Sequence, residues 1–113
     1  MEQPAHVVYP TSNVEAGKKL FRALLGVEPY VDSPYYVGFR TGEFEIGLDP
    51  NAAARGIDGP IVFWSSPGMD ASVQELVDAG ATVHQPVSEV GGGLRIAILR
   101  DADGNLIGLR GTA

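Results

Sequence analysis

The chain of 113 residues carries a formal net charge of −6 and is 44% hydrophobic and 19% charged, which is the composition of one globular domain. Its 8 Lys and Arg residues form no basic stripe, so no nucleic-acid partner is expected, and no apolar run reaches the ~18 residues that a membrane span needs. Cysteine is absent and residues 1–10 lack the pattern of a signal peptide, so disulfides and thiolate metal sites are excluded and a cytoplasmic location is expected.

The first half of the chain has the pattern of one strand, one helix and three further strands. Residues 7–9 are β-prone, and Ser12 stands three residues before Glu15, which is the spacing of a capping box. Apolar residues at helical spacing predict a helix over Val14–Leu25 that stops at Gly26. Turn residues then separate three short β-like runs, at 27–31, 35–40 and 44–48.

The same order of elements returns in the second half. Residues 49–59 are polar and rich in Gly and Ala, which indicates a linker, and residues 61–64 predict the next strand. Ser66 and Pro67 suit the N-cap and first position of a second helix, which stops at Gly80 and under which Trp64 is expected to pack. Residues 82–85, 94–100 and 106–110 are the closing strands, with a flexible loop at 91–93.

The two halves also share a short sequence pattern, in which an arginine, a turn and an Ile-Gly-Leu sequence follow one another. Arg40 precedes Ile46-Gly47-Leu48 as Arg100 precedes Ile107-Gly108-Leu109. The repeat predicts an α+β fold with two tandem βαβββ modules that form a curved, half-open mixed β-sheet barrel with the helices outside. Module one spans about 5–48, the linker 49–59 and module two about 60–111, within a single domain over 1–113. The concave face of such a sheet is expected to bind a ligand.

Two strings of this sequence resemble the glyoxalase / bleomycin resistance / extradiol dioxygenase superfamily, which has the vicinal oxygen chelate fold. Residues 6–26 resemble the opening of a family module. His6 falls on its metal-ligand position, Asn13 on its helix cap and Leu25-Gly26 on the end of its helix. Residues 101–109 resemble its Asp-Pro-Asp-Gly-Asn hairpin, with Ala102 in place of proline. The resemblance implies the paired-module fold, a small-molecule ligand and a homodimer.

Enzymes of this superfamily hold a divalent metal with side chains from the first and last strands of the modules. Carried over to this chain, the first-strand positions are His6 and Ile61 and the last-strand positions are Gly47 and Gly108. Only His6 has a donor atom there, and Glu45, two residues before Gly47, would add a second. Three or more ligands are needed, so neither a metal nor another cofactor is expected.

Strand alternation identifies the residues that should line the ligand-binding cleft. Gly47 and Gly108 lie among them, where a small residue suits either tight packing or a bulky ligand. Tyr30, Tyr35 and Tyr36 could stack on a planar ligand, although tyrosine is also common in strands for its β-propensity alone. The predicted ligand-binding residues are His6, Tyr36, Glu45, Phe63, Ile96, Ile98 and Arg110.

Three functions fit this sequence. The first is a small-molecule binding protein without the usual metal ligands, of the kind that sequesters a drug or antibiotic, here one that is cationic or aromatic and so matches the acidic net charge. The second is a lyase or isomerase of the same superfamily, either metal-dependent or with His6, Glu45 or Tyr36 as acid–base groups. The third is a regulatory domain whose cleft has lost its role.

Overall fold

A computed structural model describes residues 3–112. The described residues form two compact units, one over Ala5–Pro60 and the other over residues 61–112 together with residues 3 and 4. Each unit is a βαβββ module, and the order of elements confirms the predicted α+β class and the tandem repeat. Within the part of the chain that the structure describes, no helix is long and apolar enough to cross a membrane.

Module one has four strands in the order β2-β3-β4-β1. β1 runs parallel to β4, whereas β3 is antiparallel to both β2 and β4. Mixed pairing of this kind follows from the helical crossover, because only the helix returns the chain far enough for a parallel partner. The elements are β1 Pro4–Pro10, α1 Val14–Leu25, β2 Val31–Asp32, β3 Val37–Thr41 and β4 Phe44–Asp49.

One apolar face of α1 covers one face of this four-stranded sheet. Phe21 packs on the sheet with its ring 5.1 Å from that of Tyr9 and 6.2 Å from that of Phe39, measured between ring centroids. Asn13 caps the helix, since its side-chain oxygen accepts a hydrogen bond from the backbone N–H of Ala16 at 3.1 Å. The buried core of module one consists of Val7, Val37, Phe39, Ile46 and Leu48.

Module two repeats this arrangement with strand order β5-β8-β7-β6. β5 is parallel to β8, and β7 is antiparallel to both β8 and β6. A short 3-10 helix, Ala53–Arg55, lies in the linker before it. The elements are β5 Ile61–Ser65, α2 Met69–Asp78, β6 Thr82–Gly91, β7 Leu94–Arg100 and β8 Leu106–Thr112. The core under α2 consists of Met69, Ala97, Leu99 and Leu109.

Backbone register shows that the repeat extends to individual residues. Val8 pairs with Gly47 in module one as Phe63 pairs with Gly108 in module two. One residue past each first strand, a backbone N–H donates to the last strand: Thr11 to the Asp49 carbonyl at 3.2 Å, and Ser66 to the Arg110 carbonyl at 2.8 Å. Position 49 of module one is therefore equivalent to position 110 of module two.

Several sequence-based expectations about local structure were wrong. Asn13, and not Ser12, is the N-cap of α1, and α2 begins after Gly68 with no side-chain cap. Ser66 is instead buried, with its Oγ 2.6 Å from that of Ser72. Trp64 lies on the helix side of β5, as expected, but it is 39% exposed and does not belong to the core under α2.

Two strands also differ in length from their predicted ranges. β2 covers only Val31–Asp32, whereas β6 continues from Thr82 to Gly91 through several bulges. Pro86 lies within β6, although a proline in a sequence usually predicts the end of a strand. The chain tolerates it because β6 is the terminal strand in the order of module two.

Candidate ligand-binding site

The face of module one that points away from α1 carries polar groups. Strand alternation puts Val7 and Ile46 under the helix, so their neighbours His6 and Glu45, which pair in register, lie on the opposite face. Arg40 is the register partner of Glu45 on β3 and shares that face. His6 is 7% exposed, and the structure thus brings together three of the residues predicted to bind ligand: His6, Glu45 and Tyr36.

Glu45 is the centre of a hydrogen-bonded cluster. Its Oε2 accepts a hydrogen bond from the Tyr36 hydroxyl at 2.5 Å, and its Oε1 accepts one from the Tyr30 hydroxyl. The guanidinium carbon of Arg40 lies 4.2 Å from the centroid of the Tyr30 ring, which is a cation–π contact. The cluster of Glu45, Tyr30, Tyr36 and Arg40, called here the tyrosine–glutamate cluster, joins an anion, a cation and two rings.

Two glycines make room for the tyrosine rings. A Cβ atom on Gly47 would lie 2.1 Å from the Tyr36 hydroxyl oxygen, and one on Gly38 would lie 3.1 Å from Tyr30 and 3.2 Å from Tyr36. Any larger residue at Gly47 would therefore displace Tyr36 from Glu45. Of the two readings of Gly47, tight packing is the one that these distances support, because the ring of Tyr36 fills the space.

The environment of Tyr30 in this cluster disfavours ionisation of its hydroxyl. Partial burial raises the pKa of its hydroxyl, and the hydrogen bond to Glu45 and the negative charge of that carboxylate raise this pKa further. The positive charge of Arg40 acts in the opposite direction but does not outweigh them. The neutral, hydrogen-bond-donating form of Tyr30 is thus favoured.

The corresponding face of module two is apolar at its centre and polar at one end. Phe63 and Ile98 are buried there, at 4% and 2% exposure, and Ile96 pairs in register with Arg110. Arg110 opens onto a pocket of about 350 Å³. Its other lining residues, which the sequence-based reasoning missed, are Ser65, Ser66, Pro67, Leu94, Gly111 and Thr112. Alternation alone could have found Ser65 and Leu94, which share a face with Phe63 and Ile96.

The residues at the inherited metal positions do not fit a divalent metal. Aromatic rings fill the space that a carboxylate side chain would need at both last-strand positions, since a Cβ on Gly108 would lie 2.5 Å from Cδ1 of Phe63, just as Tyr36 fills the space at Gly47. Among residues 3–112 no three His, Asp or Glu side chains gather closely enough to hold a metal ion. A single imidazole and one tyrosine-bound carboxylate fall short of the three or more ligands that such an ion requires.

Comparison with protein families gives a match over residues 3–109 to the Glyoxalase/Bleomycin resistance protein/Dioxygenase superfamily. The chain belongs to this superfamily. The match confirms the resemblance of residues 6–26 and 101–109, and it covers both modules of the chain. No match to a curated protein sequence is found.

Solved structures share the fold of this superfamily member at low sequence identity. A Legionella pneumophila protein described as an NAD-dependent benzaldehyde dehydrogenase has a TM-score of 0.75 at 15% identity, over 96% of this chain and 98% of its own. A superfamily member from Vibrio splendidus 12B01 has a TM-score of 0.72 at 12% identity, over 95% and 96%. A Streptomyces coelicolor methylmalonyl-CoA epimerase in complex with 2-nitronate-propionyl-CoA has a TM-score of 0.71 at 17% identity, over 100% and 96%.

Proposed function

We propose that the chain is a small-molecule binding protein that takes a cationic, aromatic ligand at the tyrosine–glutamate cluster and does so without a metal. One observation carries the proposal: Tyr36 fills the inherited ligand position at Gly47 and, with Tyr30, holds the Glu45 carboxylate by its hydroxyl group. A carboxylate beside aromatic rings is suited to an organic cation. Sequestration of a drug or antibiotic in the cytoplasm is the role that we infer from this chemistry.

Features of module one and of the whole chain support a cationic ligand. Tyr30 already stacks against the guanidinium of Arg40 on one face of its ring, and it is 48% exposed, so part of the ring remains open to solvent. The net charge of −6 attracts cations over a longer range. His6, the register partner of Glu45, adds a further polar group to the same face.

Isothermal titration with a panel of cationic aromatic antibiotics tests the proposal. Glu45→Gln should weaken binding about tenfold, or 1.4 kcal/mol, because it removes the only anion of the cluster. Glu43→Gln, which removes the same charge from an exposed turn of the same module, is the matched control and should change little. Arg40→Gln should act in the opposite direction and strengthen binding, since it removes a competing cation from Tyr30.

The proposal fails if no member of the panel binds more tightly than ~100 μM, which corresponds to about 5.5 kcal/mol. It fails equally if Glu45→Gln and Glu43→Gln weaken binding to the same extent, because the effect would then come from net charge alone. Thermal melts of each variant establish that the fold is retained, so that a lost signal is a loss of binding.

A second candidate function is proton transfer to and from a carbon acid, with Glu45 as the base. The 2.5 Å hydrogen bond between Tyr36 and Glu45 favours it, because a phenol this close could return the proton. The epimerase among the similar structures makes methylmalonyl-CoA a concrete substrate to test, by analogy of fold alone. Incorporation of deuterium from D₂O into this thioester, abolished by Glu45→Gln, would make the enzyme the leading function.

A homodimer is part of the proposal. β6 is the terminal strand of module two and carries exposed Val83 and Val90, and an edge strand of this length usually needs cover. Analytical ultracentrifugation should show a species of twice the 11.9 kDa chain mass, and a clean monomer at high concentration would contradict the dimer.

A further inference from the structure

We propose that the pocket of module two at Arg110 is a second binding site and that it takes a small organic carboxylate. The pocket measures about 350 Å³, within the range of roughly 300–1,000 Å³ that small-molecule sites occupy. A guanidinium offers two parallel N–H donors that match the two oxygens of a carboxylate. The inference does not depend on the proposed function, which concerns module one and a ligand of the opposite charge.

The polar groups of this pocket come from paired strands and are held by the sheet. Ser65 on β5 is the register partner of Arg110 on β8, and Thr112 on β8 pairs with Leu94 on β7. The backbone carbonyl of Arg110 accepts a hydrogen bond from Ser66 at 2.8 Å, which fixes the end of β8. Groups placed on strands rather than on a mobile loop give a more defined geometry for binding.

The walls of the pocket divide into a polar and an apolar part. Arg110 and the hydroxyl-bearing residues Ser65 and Thr112 offer hydrogen-bond donors for the carboxylate oxygens. Leu94 and Pro67 offer apolar surface for the carbon body of the ligand. Arg110 is the one cationic residue among the described residues of the lining, and the acidic protein repels a dianion more strongly than a monoanion, so a monocarboxylate fits better than a phosphate monoester.

Module one provides an internal comparison for this assignment. It has a pocket of about 310 Å³ at the equivalent end of its sheet, with Pro10, Thr11 and Pro50 in its lining. That pocket contains Asp58 and no cation. Asp49, which stands where module two has Arg110, is paired with Arg55 and accepts the backbone N–H of Asn51. Of these two pockets, the one in module two therefore has the lining that suits an anion.

Amide chemical-shift titration by NMR tests the inference, with phenylacetate as the probe and neutral phenylacetamide as its uncharged match. Phenylacetate should shift the amides of Ser65, Gly111 and Thr112, whereas phenylacetamide should bind at least about tenfold more weakly. Arg110→Gln should weaken phenylacetate binding at least about tenfold, and Arg110→Lys, which keeps the charge but loses the paired donors, should fall between. Lys19→Gln removes the same charge from an exposed position on α1 and should have little effect.

Four outcomes would overturn the inference. They are equal binding of phenylacetate and phenylacetamide, unchanged binding in Arg110→Gln, shifts confined to module one, and tighter binding of inorganic phosphate than of phenylacetate. Glu45→Gln should leave phenylacetate binding unchanged, so failure of this site and failure of the cation site on module one give different results. Because the comparison of the two probes uses the wild-type protein, it stands even if a variant at Arg110 folds poorly.

Discussion

The two modules have matched backbones and dissimilar open faces. At equivalent register positions, module one places His6 and Gly38 where module two places Ile61 and Ile98. On the helix-covered faces both modules remain apolar, with Phe39 equivalent to Leu99. The helix-covered face must exclude water in both modules, whereas the open face is free to differ, so the difference between the modules is concentrated where ligands can bind.

The charged groups of the two open faces also differ, since the cluster of module one combines Glu45 with Arg40. Module one presents the Glu45 carboxylate within a cluster of tyrosines, and module two presents the Arg110 guanidinium in a pocket. The two proposed sites therefore differ in ligand preference although they lie on matched backbones in a chain of only 113 residues. Three experiments, in order of falling effect, test how far the modules differ.

The largest expected difference concerns the paired glycines. Gly108→Ala should destabilise the protein by about 2–3 kcal/mol, because the new Cβ would lie 2.5 Å from Cδ1 and 2.7 Å from Cγ of Phe63, near the base of a buried ring. Gly47→Ala should cost at least ~1 kcal/mol less, since it meets the hydroxyl end of Tyr36, which can swing away. Urea unfolding measures both free energies.

A second mutation separates this steric effect from other causes. Phe63→Ala removes the Cγ and Cδ1 atoms that Gly108→Ala would contact, so the alanine at position 108 should be less costly in that background than in the wild type. Equal costs of the two glycine substitutions, or the same cost of Gly108→Ala in both backgrounds, would contradict the close contact as the explanation.

A smaller difference concerns the helix caps. Asn13 and Gly68 begin α1 and α2 with nearly the same backbone, φ −134° and ψ 92° against φ −134° and ψ 89°, but only Asn13 supplies a side-chain cap. Asn13→Ala should cost about 1 kcal/mol, and Gly68→Asn should add a few tenths of a kcal/mol to stability. A Cβ at Gly68 would have space, at 4.0 Å from that of Ala71. A destabilised Gly68→Asn in thermal melts would show that the second helix is not limited by its cap.

The smallest expected effect is that of added metal. Neither Zn²⁺ nor Ni²⁺ should raise the thermal midpoint of the wild-type protein, because binding to the native state alone would raise it and the residues at His6, Ile61, Gly47 and Gly108 do not fit such an ion. A concentration-dependent rise that His6→Ala abolishes would establish a metal site and favour the metal-dependent enzyme.

Alkaline unfolding provides a further view of the cluster. The raised pKa of Tyr30 means that its contribution to stability is present below the ordinary tyrosine pKa of about 10 and is lost as the pH rises through the higher value of the folded state. Glu45→Gln removes the negative charge that raises this pKa, so an absorbance titration of the phenol should shift towards the ordinary value. This readout reports the cluster without any ligand.

The elements with strong local signals were predicted well. Helix α1 spans Val14–Leu25 as its apolar spacing and Gly26 indicate, and Gly26 ends it with φ 71°. The signals that misled were short and local. Ser66 is a residue type that often caps a helix, but it lies buried against Ser72. The ten residues of β6 extend beyond their local signal because they pair, with register shifts, with the seven residues of β7. Pairing between strands and burial by distant residues carry no short-range signal in a sequence.

The sequence by itself determined the repeat, the α+β class and the alternation that puts His6, Glu45 and Arg110 on the faces away from the helices, because a period of two residues and a recurring order of elements are visible in the residues themselves. Only the tertiary structure decided which side chains meet on those faces. Tyr30 reaches Glu45 from the position just before the two-residue strand β2, and Phe63 occupies the space beside Gly108, through strand pairing that joins residues far apart in the chain. Contacts of this kind depend on the packing of whole strands, and a one-residue slip in register would have removed them.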